Sequence, residues 1–193
     1  MSYLERTGIS AVMIVASLLV APVLMGQTAG EKEEFTAIAI VNNNLRSGAG
    51  TVLMEVNRWS TQQERERLVN TLRDKGPEAL LSALQKNPPA GSIRTPDSLA
   101  YDLRFAHQTT NGDGTRRIVL ATDRPIGFWE ATTRPRTIDY PFTVIQMELD
   151  REGHGKGTLS YATKITARRD VIELENFATS PVMLTEITSK RAH

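Results

Sequence analysis

Residues 101–122 read YDLRFAHQTTNGDGTRRIVLAT, and they are the clearest indication of how this chain folds. The first part alternates with a period of two, which is typical of a half-buried strand. Residues 111–114 (NGDG) tolerate the positive φ angles of a tight turn, so residues 116–122 are predicted to return as the paired strand of an antiparallel hairpin. The residues predicted to share one face of the first strand are Tyr101, Leu103, Phe105 and His107.

Strand-like segments also lie on both sides of this hairpin. They are residues 35–42, 51–57, 142–149, 157–167, 171–177 and 182–188. Short strands at regular spacing with polar separators predict a mainly β domain, either an antiparallel barrel or a sandwich. Direct pairing of sequence neighbours favours an up-and-down, lipocalin-like barrel, and the sandwich stays open as the alternative. The aromatic residues expected to fill the interior are Tyr101, Phe105, Phe142, Tyr161 and Phe177.

Residues 60–87 carry the strongest helical pattern in the chain. Ser60 is suited to cap a first helix, and Gly76 predicts its end. Pro77 is suited to the first turn of a second helix, which ends before the prolines at 88 and 89. The pattern therefore predicts a two-helix hairpin inserted between strands. The leucines expected to be buried against the sheet are Leu72 and Leu80.

Residues 1–30 have the order of a secretory signal peptide. Arg6 precedes an uncharged apolar run from Ile9 to Met25, and small residues separate that run from the charged residues 31–34 (EKEE). The run has about 17 residues, at the lower limit for spanning a bilayer. We therefore predict cleavage between residues 26 and 31 and a single periplasmic or secreted domain over residues 31–193. An uncleaved N-terminal anchor, which would be the protein's only membrane contact, is the alternative.

The composition excludes several classes of function. The chain contains no cysteine, which excludes disulfides, thiolate metal sites and cysteine nucleophiles. Its net charge is +1, and basic residues are interspersed with acidic ones. Because no basic stripe is available to follow a phosphate backbone, nucleic acid is not expected as a partner.

The histidines and glycines do not predict a cofactor or a metal site. His107, His154 and His193 are far apart in the sequence, and none has a second ligand at helical spacing. Residues 153–157 (GHGKG) resemble a phosphate-binding loop, but they lie between two predicted strands instead of between a strand and a helix. We predict a turn there. The chain also has no Gly-x-Ser-x-Gly nucleophile motif, so a hydrolase triad is not predicted.

Residues 121–142 are the most unusual stretch, because aromatic and arginine side chains coincide there with three prolines. Such a composition is typical of binding hot spots, and proline reduces the entropy lost when a loop is fixed. The alternative interpretation is a stiff connection in which Trp129 plugs one end of the barrel. The candidate ligand-binding or partner-binding residues are Arg124, Phe128, Trp129, Glu130, Arg134, Arg136 and Tyr140.

Four segments resemble an uncharacterised family of exported bacterial proteins. They are residues 57–61 (NRWST), 93–99 (IRTPDSL), 117–130 (RIVLATDRPIGFWE) and 139–143 (DYPFT). No activity is assigned to that family, so the resemblance implies export but transfers no catalytic residue. It also directs attention to the proline-rich stretch.

These observations predict a non-enzymatic exported domain that binds a small apolar ligand or a cell-envelope protein. One alternative is a periplasmic hydrolase or isomerase that uses His107 with the loop carboxylates Glu130 and Asp139. The other is a structural envelope protein anchored by its N-terminus. An open apolar interior favours the binding protein, and a cleft in which His107 meets carboxylates favours the enzyme.

Overall fold

The structure, a computed structural model, describes residues 32–43, 46–126, 141–168, 171–176 and 181–191. Within these ranges the protein is mainly β, with ten strands in one antiparallel sheet and one helical element, α1 (Gln62–Gln85). The strands are β1 (Glu33–Asn43), β2 (Arg46–Val56), β3 (Gly91–Arg94), β4 (Tyr101–Leu103), β5 (Phe105–Thr110), β6 (Arg116–Ala121), β7 (Phe142–Leu149), β8 (His154–Arg168), β9 (Val171–Asn176) and β10 (Val182–Arg191).

Sequence neighbours pair along most of the sheet, as the short connections predict. The order is β4–β3–β2–β1–β10–β8–β7–β6–β5, and β9 pairs with β8. The exception is β10, which pairs with both β1 and β8 and so joins the N-terminal strands to the C-terminal ones. The path ends at β4 and at β5, and no ladder joins these two described strands. The sheet is therefore not closed into a barrel, and a sandwich-like class fits it.

The inward faces of the strands enclose the main core. It contains side chains from β1 to β8 and from β10, so both ends of the sheet contribute to it. Apart from Trp59, which is 4% exposed, most of its larger members are at most 2% exposed, so the inner side of the sheet is filled by side chains. They are Phe35, Met54, Ile93, Leu103, Ile118, Leu120, Ile145, Met147, Leu149, Leu159 and Leu184.

The aromatic residues predicted to fill the interior are distributed differently. Tyr101 packs at the margin of the main core, but Phe105 and Phe142 lie on the outer side of the sheet. The side chain of Tyr161 and the whole of Phe177 lie outside the described residues. Phe35 on β1 and Trp59 after β2 supply aromatic rings to the main core instead.

A one-residue break at Arg104 corrects the prediction of one continuous strand over residues 101–108. β4 ends at Leu103 and β5 begins at Phe105, so the alternation changes phase between them. Leu103 and Ala106 both face the main core, whereas Phe105 packs on the outer side. The prediction that Phe105 and His107 share a face with Leu103 is therefore wrong, because a shift of one residue reverses every following side chain.

The contacts of Arg104 explain the break. Its backbone nitrogen donates to the carbonyl oxygen of Ala121 at 2.8 Å. Its guanidinium pairs with Asp102 at 3.1 Å and with the buried Asp123 at 3.4 Å, and it also donates to the carbonyl oxygen of Asn87 at 3.1 Å. A residue held from several directions in this way forms a corner between two short strands.

The helical element begins one residue later than predicted. Thr61, not Ser60, is its N-cap: the Thr61 Oγ1 accepts from the Glu64 backbone nitrogen at 3.1 Å, and the Glu64 carboxylate accepts from the Thr61 nitrogen at 2.8 Å. These two reciprocal bonds form a capping box. Ser60 is buried and joins the helix entrance to the sheet instead, since its nitrogen and Oγ bond the backbone of Ala106.

The predicted two-helix hairpin corresponds to the two halves of α1, which meet at Gly76 and fold back on each other, so that the Arg67 guanidinium donates to the Asn87 Oδ1 at 2.5 Å. Gly76 has φ 81° and ψ −175°, a conformation that interrupts the helix and that only glycine adopts at little cost. Pro77 follows it directly, so the second half starts without an intervening loop. The predicted interruption at Gly76 and Pro77 is confirmed, and the chain reverses its direction there without an intervening loop.

A second, smaller core lies between α1 and the outer face of the sheet. Leu72 and Leu80 are 4% and 5% exposed, so the prediction that both are buried is confirmed. Their partners come from β7 and β8, including Phe142, Val144 and Ile165. Both halves of the kinked helix are therefore fixed to the same surface of the sheet.

In the described ranges, no helix is long and apolar enough to cross a bilayer. Residues 1–31, which contain the predicted signal peptide, lie outside those ranges. Cleavage of the signal and the alternative of an N-terminal anchor stay predictions.

Candidate functional site

A groove of about 430 Å³ opens between α1 and the outer face of β5 to β9. One wall is the leucine stripe of the helix, and the floor is the outward face of the strands. We call this space the α1 groove. Its apolar lining residues are Leu68, Val69, Leu72, Leu80, Leu84, Phe105, Val119, Ala121, Val144, Ile165, Ile172 and Leu174.

Strand alternation explains why the floor is apolar. On β6 and β7, every second residue faces the main core, and the residues between them face α1. Val119 and Val144 are two of these outward residues, and the helix shields them from solvent. The groove extends past the helix to β9, where Ile172 is 47% exposed. The apolar surface is therefore only partly covered.

The polar lining residues are segregated at one end of the groove. Cross-strand pairs place His107 beside Val119, and Val119 beside Gln146. The next outward row pairs Thr109 with Arg117. The row of Phe105, Ala121 and Val144 lies on the other side of His107 and Val119, so the floor of the groove is apolar at one end and polar at the other.

Two arginines lie at this polar end. Arg117 on β6 pairs with Glu148 on β7 at 3.0 Å, and both side chains are mostly exposed. Arg65 in the first turns of α1 lines the groove from the other side and is exposed. In the part of the chain that the structure describes, Arg65 forms no ion pair, so its charge is not neutralised by a neighbouring carboxylate.

His107 lies where the apolar and polar parts of the groove meet. Its ring stacks on Phe105 with the centroids 6.1 Å apart. Partial burial lowers the pKa of His107, and the positive charge of Arg65 lowers it further. The imidazole is therefore neutral at neutral pH and presents a hydrogen-bonding group without a charge.

Only one of the seven candidate residues predicted from the proline-rich stretch lies in the described part of the chain. It is Arg124, and its exposed side chain bonds the buried Asp123 at 3.3 Å. The Arg124 backbone is fixed by the hydroxyl groups of Thr122 and Thr143. Arg124 does not line the α1 groove. The candidates outside the described residues are Phe128, Trp129, Glu130, Arg134, Arg136 and Tyr140.

The remaining candidates from the sequence are metal ligands and the glycine-rich segment at residues 153–157. Among the residues that the structure describes, no group of three or more histidine and acidic side chains converges to hold a metal ion. His154 is exposed at the start of β8, directly after a turn in which Gly153 has φ 86°. Gly157 lies within β8, where a Cβ would be 2.3 Å from the Gln146 carbonyl oxygen of β7. The glycine-rich segment thus combines the predicted turn with a tightly paired strand.

The groove was not predicted from the sequence. Its lining comes from α1 and five strands, and most of its members, taken singly, are ordinary apolar residues of a helix or strand. One signal was available: Arg65 stands three residues before Leu68, which places a charge on the same helical face as the leucine stripe.

No protein-family model matches this chain, and neither a curated protein nor a solved structure is significantly similar to it. The resemblance to exported bacterial proteins therefore stays a prediction, and function has to be argued from the groove itself.

Proposed function

We propose that this protein is an exported, non-enzymatic domain that binds a small apolar ligand in the α1 groove. The observation that carries the proposal is a partly open apolar space of about 430 Å³ with polar groups at one end. Small-molecule sites are concave and mostly apolar, with a few polar groups that orient the ligand, and their volumes are roughly 300–1,000 Å³. The α1 groove has each of these properties.

In a lipocalin-like barrel the ligand lies inside the sheet. We propose a different position for the ligand of this protein. Here the inner face is filled by side chains such as Phe35, Leu120 and Met147, which are at most 1% exposed. A ligand of useful size would have to displace this core, whereas the α1 groove is already open. The proposal therefore places the ligand on the outer side, beneath the helix.

The direct test is to fill the groove. Val119 lies half-buried at the centre of its floor, and Val119→Trp introduces a ring into that space. The matched control is Leu53→Trp, at a half-exposed outward position of β2 away from the groove. The probe is Nile red, a neutral apolar dye whose fluorescence rises in apolar surroundings.

We expect the wild type and Leu53→Trp to bind the dye similarly and Val119→Trp to bind it about ten-fold more weakly. Thermal unfolding of all three proteins checks that they are folded. Equal binding by the folded Val119→Trp protein would contradict the proposal.

The enzyme alternative has one observation in its favour, which is a neutral, half-buried imidazole inside a groove. The carboxylates assigned to it, Glu130 and Asp139, lie outside the described residues. If His107→Ala abolished a hydrolase activity and left dye binding intact, the enzyme alternative would be favoured over the binding proposal. The structural alternative depends instead on an N-terminal anchor, and recovery of the full-length chain in the membrane fraction would support it.

A further inference from the structure

We propose that the ligand of the α1 groove is an amphipathic carboxylate whose chain lies under the helix and whose head group is bound by Arg65. This inference rests on the proposed function and names the ligand class of the same site. It follows from three features of the groove: the direction of its polarity, the charge balance at its polar end, and the chemistry of the groups there.

The polarity of the groove has a direction. At the apolar end, Phe105, Ala121 and Val144 form one cross-strand row of the floor. The opposite end presents the outward row of Thr109 and Arg117 and, across the groove, Arg65. A ligand that is apolar throughout would leave these polar groups in contact with apolar atoms, at a cost in free energy. An amphipathic ligand satisfies both ends.

The charge balance at the polar end is positive. In the described ranges, the charged residues that line the groove are Arg65 and Arg117, and Arg117 is paired with Glu148. Arg65 adds a positive charge with no carboxylate to neutralise it within the described residues. The site is thus complementary to an anion and unfavourable for a cation.

The polar groups favour a carboxylate head. A guanidinium presents its donors in a planar fork that matches the two oxygens of a carboxylate. Gln146 and the neutral imidazole of His107 also line the groove, and neither adds a negative charge that would repel an anion. An anionic head at Arg65 therefore leaves the chain directed along Val69 towards the leucine stripe.

The test compares dodecanoate with dodecanol, which have the same chain and differ in the head group. Each displaces Nile red from the wild type, from Arg65→Gln and from Lys75→Gln. The Lys75→Gln variant is the matched control, because it removes one exposed positive charge from the same helix outside the groove. Thermal unfolding confirms that both variants are folded.

We expect the wild type and Lys75→Gln to bind dodecanoate about ten-fold more tightly than dodecanol. A ten-fold difference in affinity corresponds to the lower end of the free energy that a hydrogen bond between charged groups contributes. We expect Arg65→Gln to lose this preference and to keep its affinity for dodecanol. Equal binding of the two compounds by the wild type, or an unchanged preference in Arg65→Gln, would overturn the inference and leave the groove proposal intact. Failure of both compounds to displace the dye would overturn the inference and the proposed function together.

Discussion

Glu33 and Arg116 form a buried ion pair at the start of β1. Their side chains are only 2% and 8% exposed, and two hydrogen bonds of 2.6 and 3.0 Å join the guanidinium to the carboxylate. The Ser189 hydroxyl also donates to Glu33, and Gln108 accepts from Arg116. Because removing one partner leaves an uncompensated buried charge, such pairs are sensitive to single substitutions.

We predict that Glu33→Gln lowers the free energy of unfolding by about 3–5 kcal/mol. The control is Glu34→Gln, the next residue on β1, which is exposed and should have little effect. Urea unfolding of the two variants measures both values. Equal stability of the two variants would show that the buried pair contributes no more than a surface charge.

The pKa of Glu33 also determines how the free energy of unfolding depends on pH. Burial alone raises the pKa of Glu33, but the hydrogen bonds and charges of Arg116, Ser189 and Arg191 outweigh it and hold the pKa below 4.5. The unfolded chain therefore takes up this proton first as the pH falls. The stabilisation is complete above pH 4.5 and is lost as the pH falls through the lower pKa of the folded state. Urea unfolding between pH 7 and pH 3 should show this loss in the wild type and a smaller one in Glu33→Gln.

At the scale of elements, the kinked helix is fixed by its leucines. Leu72 lies before Gly76 and Leu80 after it, and both are buried against the sheet. We predict that Leu72→Ala and Leu80→Ala each cost roughly 2–5 kcal/mol, because each leaves a cavity in the second core. Leu99→Ala is the control, since Leu99 is 90% exposed. An unchanged melting temperature in both core variants would mean that α1 does not depend on this packing.

The strands and the helical segment followed from the sequence because their signals are local. The strand predicted over residues 142–149 coincides with β7, since its apolar and polar residues are bounded by clear turn signals. The change of register between β4 and β5 could not be predicted. The alternation of residue types continues through Arg104, although the strand is interrupted there. The contacts that hold Arg104 at this break include an ion pair with Asp123, 19 positions along the chain, which no local pattern reveals.

The insertion of β10 between β1 and β8 could not be predicted for a related reason. Its residues read as an ordinary strand, and nothing in their order indicates which two strands they join. The α1 groove depends on this arrangement and on the break at Arg104, because that break turns Phe105 and His107 outwards. The place of the groove in the fold could therefore not be predicted from the sequence, and the apolar ligand stays a prediction.

At the scale of the whole molecule, β6 ends and β7 begins close to the α1 groove, on either side of the connection that contains Trp129. Ala121 on one side of this connection lines the groove, and Phe142 on the other packs in the second core. Trp129 itself lies outside the described residues, and its role in ligand capture stays a prediction.

We predict that Trp129→Ala weakens capture of Nile red and leaves the β signature in circular dichroism unchanged. Trp59 provides the comparison, because it is buried in the main core and its replacement by alanine should cost roughly 3–5 kcal/mol. If Trp129→Ala lowers the melting temperature as far as Trp59→Ala does, Trp129 is a plug in the core and not part of the binding surface.

The most direct test of the account is to locate a bound ligand. A long-chain alcohol carrying a photoreactive diazirine on its chain can be cross-linked to the intact protein and mapped by peptide mass spectrometry. Because this probe is uncharged, its result does not depend on the role of Arg65. We predict labelling of α1 and β6 at Leu68, Val69 and Val119. Labelling confined to the exposed Ile40 and Met183 on β1 and β10, with α1 unlabelled, would contradict the account.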